Sequence, residues 1–132
     1  MGYYSDRFGR RRMIVVALVA ATVLIPVWAY SPSVAWLYAS AFAMQFMVQG
    51  AWGVIPAHLS ELSPDSVRAF LPGFAYQCGS LVSGSVAFIE ALFAQRTSYA
   101  SAMAFTAVTV FVFTCIVAAA GQERRGRLFG VE

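Results

Sequence analysis

Three side-chain amides, Gln45, Gln49 and Gln77, stand inside long apolar stretches, and two ionisable groups, His58 and Glu90, stand near the ends of such stretches. An amide in hydrocarbon without a partner costs roughly 4–8 kcal/mol, so all three must face protein or water. Amides can hold a polar solute by hydrogen bonds, and a part-buried imidazole or carboxylate can carry a proton. His58 and Glu90 lie where a membrane interface would solvate them, which makes that role secondary. One histidine without an acidic pair beside it supplies too few groups for a metal cluster or a nucleophile triad, and no nucleotide-binding loop occurs. The chain is expected to be no enzyme, with no metal and no cofactor.

A second constellation is ionic. The opening stretch "GYYSDRFGRRR" packs five charges into the seven residues from Asp6 to Arg12, and residues 13–60 then carry no Asp, Glu, Lys or Arg. With 60% hydrophobic and 11% charged residues, such a chain leaves no face for water and belongs in a bilayer. All 9 cationic residues are arginines, clustered beside apolar segments, which marks membrane flanks rather than a nucleic-acid surface. Cys78 and Cys115 lie in apolar stretches and are expected to be free thiols.

Four stretches are long and apolar enough to be spans of about 20 residues: 13–30, 34–57, 69–93 and 100–120. The sequence therefore predicts an all-α integral membrane protein with four transmembrane helices. Turn residues separate them: Ser31 to Ser33, then "SELSPDSVR", then "AQRTSY". In the second break Ser63 is expected to cap a helix with Pro64 at its first position. An arginine cluster before an apolar run also opens a secretory signal, but the first run ends in Trp28 and Tyr30 at interfacial depth and precedes three more spans. Cytoplasmic termini would put Arg7, Arg10, Arg11, Arg12, Arg68, Arg124, Arg125 and Arg127 inside, leaving only Arg96 outside, as the positive-inside rule requires.

The four stretches differ in polarity. The first and fourth hold hydroxyls, a thiol and Pro26, whose bonding needs can be met within their own helix, and are expected to be lipid-facing supports. In the second, Gln45, Gln49, Trp52 and Pro56 fall within about 40° of one another on a helix, a stripe that either lines a water-filled cavity or bonds a neighbouring helix. In the third, Gly73, Gln77, Ser80 and Gly84 share a face, with Gly79 and Ser83 beside it, an arrangement that permits close helix approach. Gln77 is the candidate there for a lining or gating role.

Gly2, Asp6, Arg7, Gly9, Arg10 and Arg11 match the loop signature G-x-x-x-D-R-x-G-R-[KR], and the chain thereby resembles the major facilitator superfamily. "QGAWGVIPAHLSELSPDSVRAFLPGFAYQCGSLVSG", Gln49 to Gly84, is similar to the tenth and eleventh spans of the lactate and pyruvate proton symporters of the sialate-symporter branch. The tail "GQERRGRLF" resembles the segment after their twelfth span. This resemblance implies the C-terminal part of a transporter domain over residues 1–132, spans nine to twelve, in the plasma membrane, carrying a small organic anion with a proton. It implies a substrate pathway at Gln45, Gln49, Trp52, Gln77 and Ser80, and a second cytoplasmic loop carrying Glu61, Pro64 and Arg68. It also implies a missing N-terminal half as partner, whose helix end the Asp6 cluster would contact, so residues 1–132 alone are expected not to transport.

Two other readings stay open. One is a superfamily transporter for sugars or other organic acids, since the loop signature does not choose a substrate. The other is a self-contained four-span protein acting as a small multidrug-type dimer or an interaction module. The multidrug type would want a membrane-embedded carboxylate in its first span, and none is present.

Overall fold

The structure, a computed structural model, describes residues 1–124. Its elements are α1 (Gly2–Phe8), α2 (Arg10–Ala29), α3 (Val34–Leu62), α4 (Leu71–Ser83), α5 (Val86–Ala94) and α6 (Tyr99–Ala120), with no strand among the described residues. Arg125 and Arg127 fall outside them.

The turn inside the loop signature is made by one glycine. Gly9 adopts φ 105°, in the region closed to most side chains, and breaks the chain between α1 and α2. Gly2, the first glycine of the signature, begins α1, and a Cβ there would meet open space.

α2 is the centre of the packing, with α3 on one side and α6 on the other. Ala17 and Ala21 are fully buried, one helical turn apart, and Ala51 of α3 and Ala102 of α6 are buried too, so small residues let these three helices approach closely. Ile14, Leu18 and Val54 fill the core around them, joined by Phe111 and Cys115 of α6. The first apolar stretch is thus the best-buried helix of this chain rather than a lipid-facing support. Its one mid-helix hydroxyl is satisfied locally, Thr22 donating to the Leu18 carbonyl at 2.7 Å, and Thr106, Thr109 and Thr114 of α6 do likewise.

Serine caps set two of the helix starts. Ser33 Oγ accepts from the Trp36 N–H and Ser98 Oγ from the Ser101 N–H, satisfying donors that the first turn leaves open. Ser63 does not behave as expected. It closes α3, its hydroxyl donating to the Leu59 carbonyl at 2.6 Å, and residues 64–70 form turns before α4 starts at Leu71 with Pro72 in its first turn. Proline is tolerated there because the first turn has no partner for its missing N–H.

The third apolar stretch is broken into α4 and α5 at Gly84 and Ser85. The Ser85 N–H bonds three residues back to Val82, and Ser83 Oγ competes for the Ser80 carbonyl. Glycine, about 1 kcal/mol poorer than alanine in a helix, and serine hydroxyls that bond the backbone weaken helix continuity here. Neither α4 nor α5 buries a residue, although Phe93 of α5 stacks on Phe105 of α6 with ring centroids 5.5 Å apart.

Three segments are long and apolar enough to cross a membrane: Arg10–Ala29, Leu71–Ala94 and Tyr99–Ala120. α3, at 29 residues, has ample length, but its glutamines, tryptophans and tyrosine make it more polar than those three.

Candidate functional site

α3 and α4 leave a cleft of about 480 Å³ between them, walled by Trp52, Ile55, Pro56 and Leu59 on one side and Pro72, Tyr76, Gly79 and Ser80 on the other. Trp52 and Tyr76 meet edge to face across it, with centroids 5.7 Å apart and planes at 68°. This geometry places the positive ring edge of one against the negative face of the other. Pro56 lacks an N–H, so the Trp52 carbonyl loses its intrahelical donor and adds an acceptor to a helix otherwise sealed by its own bonds. The cleft is chiefly apolar, and the side chains in its lining that carry a polar group are Trp52, Tyr76, Ser80 and Ser83.

Of the residues singled out in the sequence, Trp52 and Ser80 enter this cleft together. Gln45 and Gln49 continue the Trp52 stripe along α3 and are exposed, as is Gln77 on α4. None of the three amides makes a side-chain hydrogen bond among the described residues, so the helix-to-helix bonding considered for them does not occur there. Gly73 and Gly79 face open space, so no helix of the described chain uses the small-residue face of α4.

The ionic constellation forms at the opposite end of α2 from Tyr30, and its hub is Arg10. Its Nη1 meets Asp6 Oδ1 at 2.7 Å and donates to Ser5 Oγ at 2.7 Å, while Nε and Nη2 donate to Glu61 Oε1 at 3.2 and 3.1 Å. A planar guanidinium with five donors suits this forked arrangement, where an ammonium would not. Glu61 is buried, and it belongs to the last turn of α3 rather than to the loop beyond. Asp6 and Arg10 therefore find partners inside this chain.

One member had no recognisable signal in the sequence. Glu123, past the end of α6, accepts from the Arg10 and Arg11 backbone N–H groups at 3.0 and 3.1 Å, one carboxylate oxygen to each. These are the open donors of the first turn of α2, where the helix dipole favours an anion. A side chain at Gly9 would place its Cβ 2.9 Å from Glu123 Oε2, so Gly9 is needed for this approach as well as for the turn. Arg11 Nη1 reaches the Gly121 carbonyl at 2.5 Å, which closes the last turn of α6 against the same corner. A helix N-terminus collects any nearby anion, but nothing in sequence spacing brings residue 123 to it.

In the segment after α3, Arg68 donates to the Ser60 carbonyl at 3.1 Å and the Ser63 carbonyl at 3.3 Å and pairs with Asp65, while Pro64 is exposed. Arg7 lies over the Tyr3 ring. Both cysteines are free thiols. His58, expected at a solvated helix end, is buried.

Long apolar helices, an open cleft along two of them and an ionic cluster tying three chain segments at one end define a membrane-embedded helical protein. The chain belongs to the Major Facilitator Superfamily, which matches residues 1–129. It is 35% identical over 96 residues, 63% of its length, to the "Carboxylic acid transporter protein homolog" of Saccharomyces cerevisiae, covering 16% of that protein. It is also 31% identical over 124 residues, 92% of its length, to the "Probable 4-methylmuconolactone transporter" of Cupriavidus pinatubonensis, covering 29% of that protein. A third relative is the "Probable metabolite transport protein CsbC" of Bacillus subtilis, at 31% over 70 residues, 53% of the chain and 15% of that protein. The chain thus spans less than a third of the length of each of these relatives. No solved structure matches it.

Proposed function

We propose that these residues are spans nine to twelve of a twelve-span monocarboxylate:proton symporter of the lactate and pyruvate class. On this reading α2, α3, the α4–α5 pair and α6 are four spans, and the charged end of the bundle is cytoplasmic. The plasma membrane is the expected site. The α3–α4 cleft, with Trp52, Ser80 and the Gln45, Gln49 and Gln77 amides around it, forms part of the substrate pathway facing the other half. The observation that carries the reading is the placement of polar groups. The helix that packs tightly, α2, holds no amide, whereas the two helices that leave an open cleft hold all three.

Such a cleft supplies no cation for a carboxylate, so the anion's charge would be met by groups outside it, and the apolar walls would take the substrate's body. Secondary transporters of inverted-repeat design place the site near mid-membrane between halves that rock against each other. The ionic cluster would then brace one end of one half, and release of Arg10 from Glu61 would accompany a change of state.

A second reading has its own support. The aromatic and proline walls suit a ring-bearing organic acid, and one relative that aligns with 92% of the chain is named for a lactone. Uptake by the full-length protein that carries this segment, in cells lacking carboxylate permeases, separates the two. Saturable, proton-dependent entry of labelled lactate or pyruvate supports the first. Entry of a cyclic organic acid with no competition by lactate supports the second, and hexose uptake alone overturns both.

A further inference from the structure

The cleft between α3 and α4 has a volume of about 480 Å³, in the range that holds drug-sized molecules. Volume alone therefore does not select a three-carbon acid, and what narrows the cleft decides what it takes. α4 buries no residue, and its Gly73 and Gly79 face open space, so no packed core fixes its distance from α3. Among the described residues, the ring contact that bridges the gap is Trp52 with Tyr76, edge to face with centroids 5.7 Å apart. Trp52 has firm backing, since its neighbours Ala51 and Val54 are buried in the core with Ile14, Ala17 and Leu18 of α2. The indole N–H and the Tyr76 hydroxyl make no hydrogen bond among the described residues, so the two rings act through shape.

The pair also divides the cleft by chemistry. α3 and α4 are joined by the turns of 64–70 and run antiparallel, so the part of α3 before Trp52 lies level with the part of α4 after Tyr76. That section holds the Gln45 and Gln49 amides, on the Trp52 stripe, and the Ser80 and Ser83 hydroxyls. The section on the other side, toward the charged end, is lined by Ile55, Pro56, Leu59, Pro72 and Ala75, all apolar. A hydroxy acid finds side-chain hydrogen-bonding partners in the first section, and to reach the second it must pass between the rings. We propose that Trp52 and Tyr76 are specificity-determining residues, an aromatic bar that passes acids with a small side chain and turns back ring-bearing ones. The inference rests on the reading of the cleft as part of a monocarboxylate pathway. An edge-to-face contact is weak for its area, so the rings part for a slim solute, whereas a bulky one must push α4 away from α3.

The test uses the full-length protein that carries this segment, with labelled lactate and labelled mandelate as probes. The two acids share a carboxylate and a 2-hydroxyl and differ in a methyl against a phenyl group, so the ratio of their kcat/KM values reads side-chain size alone. In an apolar site a single methylene changes such a ratio by about 10–200-fold. Tyr76→Ala and Trp52→Ala should each raise the mandelate-to-lactate ratio at least about tenfold. Tyr76→Phe, which restores the ring without the hydroxyl, should return it to the wild-type value, and Thr109→Ala on α6 should not move it. A merely structural loss lowers uptake of both acids together and leaves the ratio where it was. A single cysteine at Ser83, in a background without other cysteines, separates the inference from the reading beneath it. Reaction with N-ethylmaleimide should abolish its lactate uptake, and excess lactate should slow that reaction. Uptake lost on modification with a ratio that no aromatic variant shifts overturns the bar and leaves the pathway standing, as does a wild type that takes mandelate as readily as lactate. Uptake untouched by modification, or a wild type that carries neither acid, overturns the reading and the inference together.

Discussion

Arg10 and Glu61 are joined by three donor contacts of 3.1–3.4 Å although 51 residues separate them in sequence, and both side chains are largely withdrawn from solvent. The pair fixes the start of α2 to the end of α3, and through Ser5 and Asp6 it fixes α1 to both.

Truncating one partner leaves the other charge buried and unpaired, which costs on the order of 3–5 kcal/mol. Arg10→Ala or Glu61→Ala should therefore lower the melting temperature in detergent well beyond any exposed control such as Arg12→Ala. Arg10→Lys should recover only part of the loss, because an ammonium cannot span Glu61, Asp6 and Ser5 together. A double-mutant cycle on Arg10 and Glu61 checks this, and additive effects would show that the pair is not coupled.

Gly9 faces two demands at once. Any side chain there strains a backbone at φ 105° and presses on the Glu123 carboxylate. Gly9→Ala is expected to cost about 1–3 kcal/mol from the backbone alone. Adding Glu123→Ala should recover the steric part and leave the strain, so the double variant is expected to stay less stable than Glu123→Ala by itself. Thermal unfolding of the four species measures both terms, and equal stability of Glu123→Ala and the double variant would remove the backbone term.

Gln77 and Thr109 test whether exposed polarity on α4 has a use. Thr109 bonds the Phe105 carbonyl of its own helix, whereas Gln77 points an amide out of α4 with no partner among the described residues. In the full-length protein, Gln77→Ala should change substrate range or affinity while Thr109→Ala does not. Uptake at matched surface expression decides it, and identical kinetics would take Gln77 off the pathway.

The proposed orientation predicts distinct labelling of the two ends. With Cys78 and Cys115 replaced, a single cysteine at Ser98 should react with an impermeant maleimide added to intact cells, and one at Arg12 should not. The arginine distribution dictates this sign. Labelling at position 12 alone would reverse the topology.

Much of the local structure was legible in the sequence because its causes are local. Charge-free runs specify apolar helices, the turn residues around Ser33 and Ser98 separate them, and threonines in an apolar helix bond the preceding turn whatever surrounds them. Which helix is central was not legible, because lipid tails and side chains are equally apolar. The run that became α2 is as able to face lipid as the others, and only its packing between α3 and α6 buries Ile14, Ala17, Leu18, Ala21 and Ile25. The partners in the charged corner were hidden for a different reason. Arg10 could meet any carboxylate that the fold delivers, and its choice of Glu61, the hold of α2 on Glu123 and the burial of His58 all depend on where three chain segments far apart in sequence come to lie.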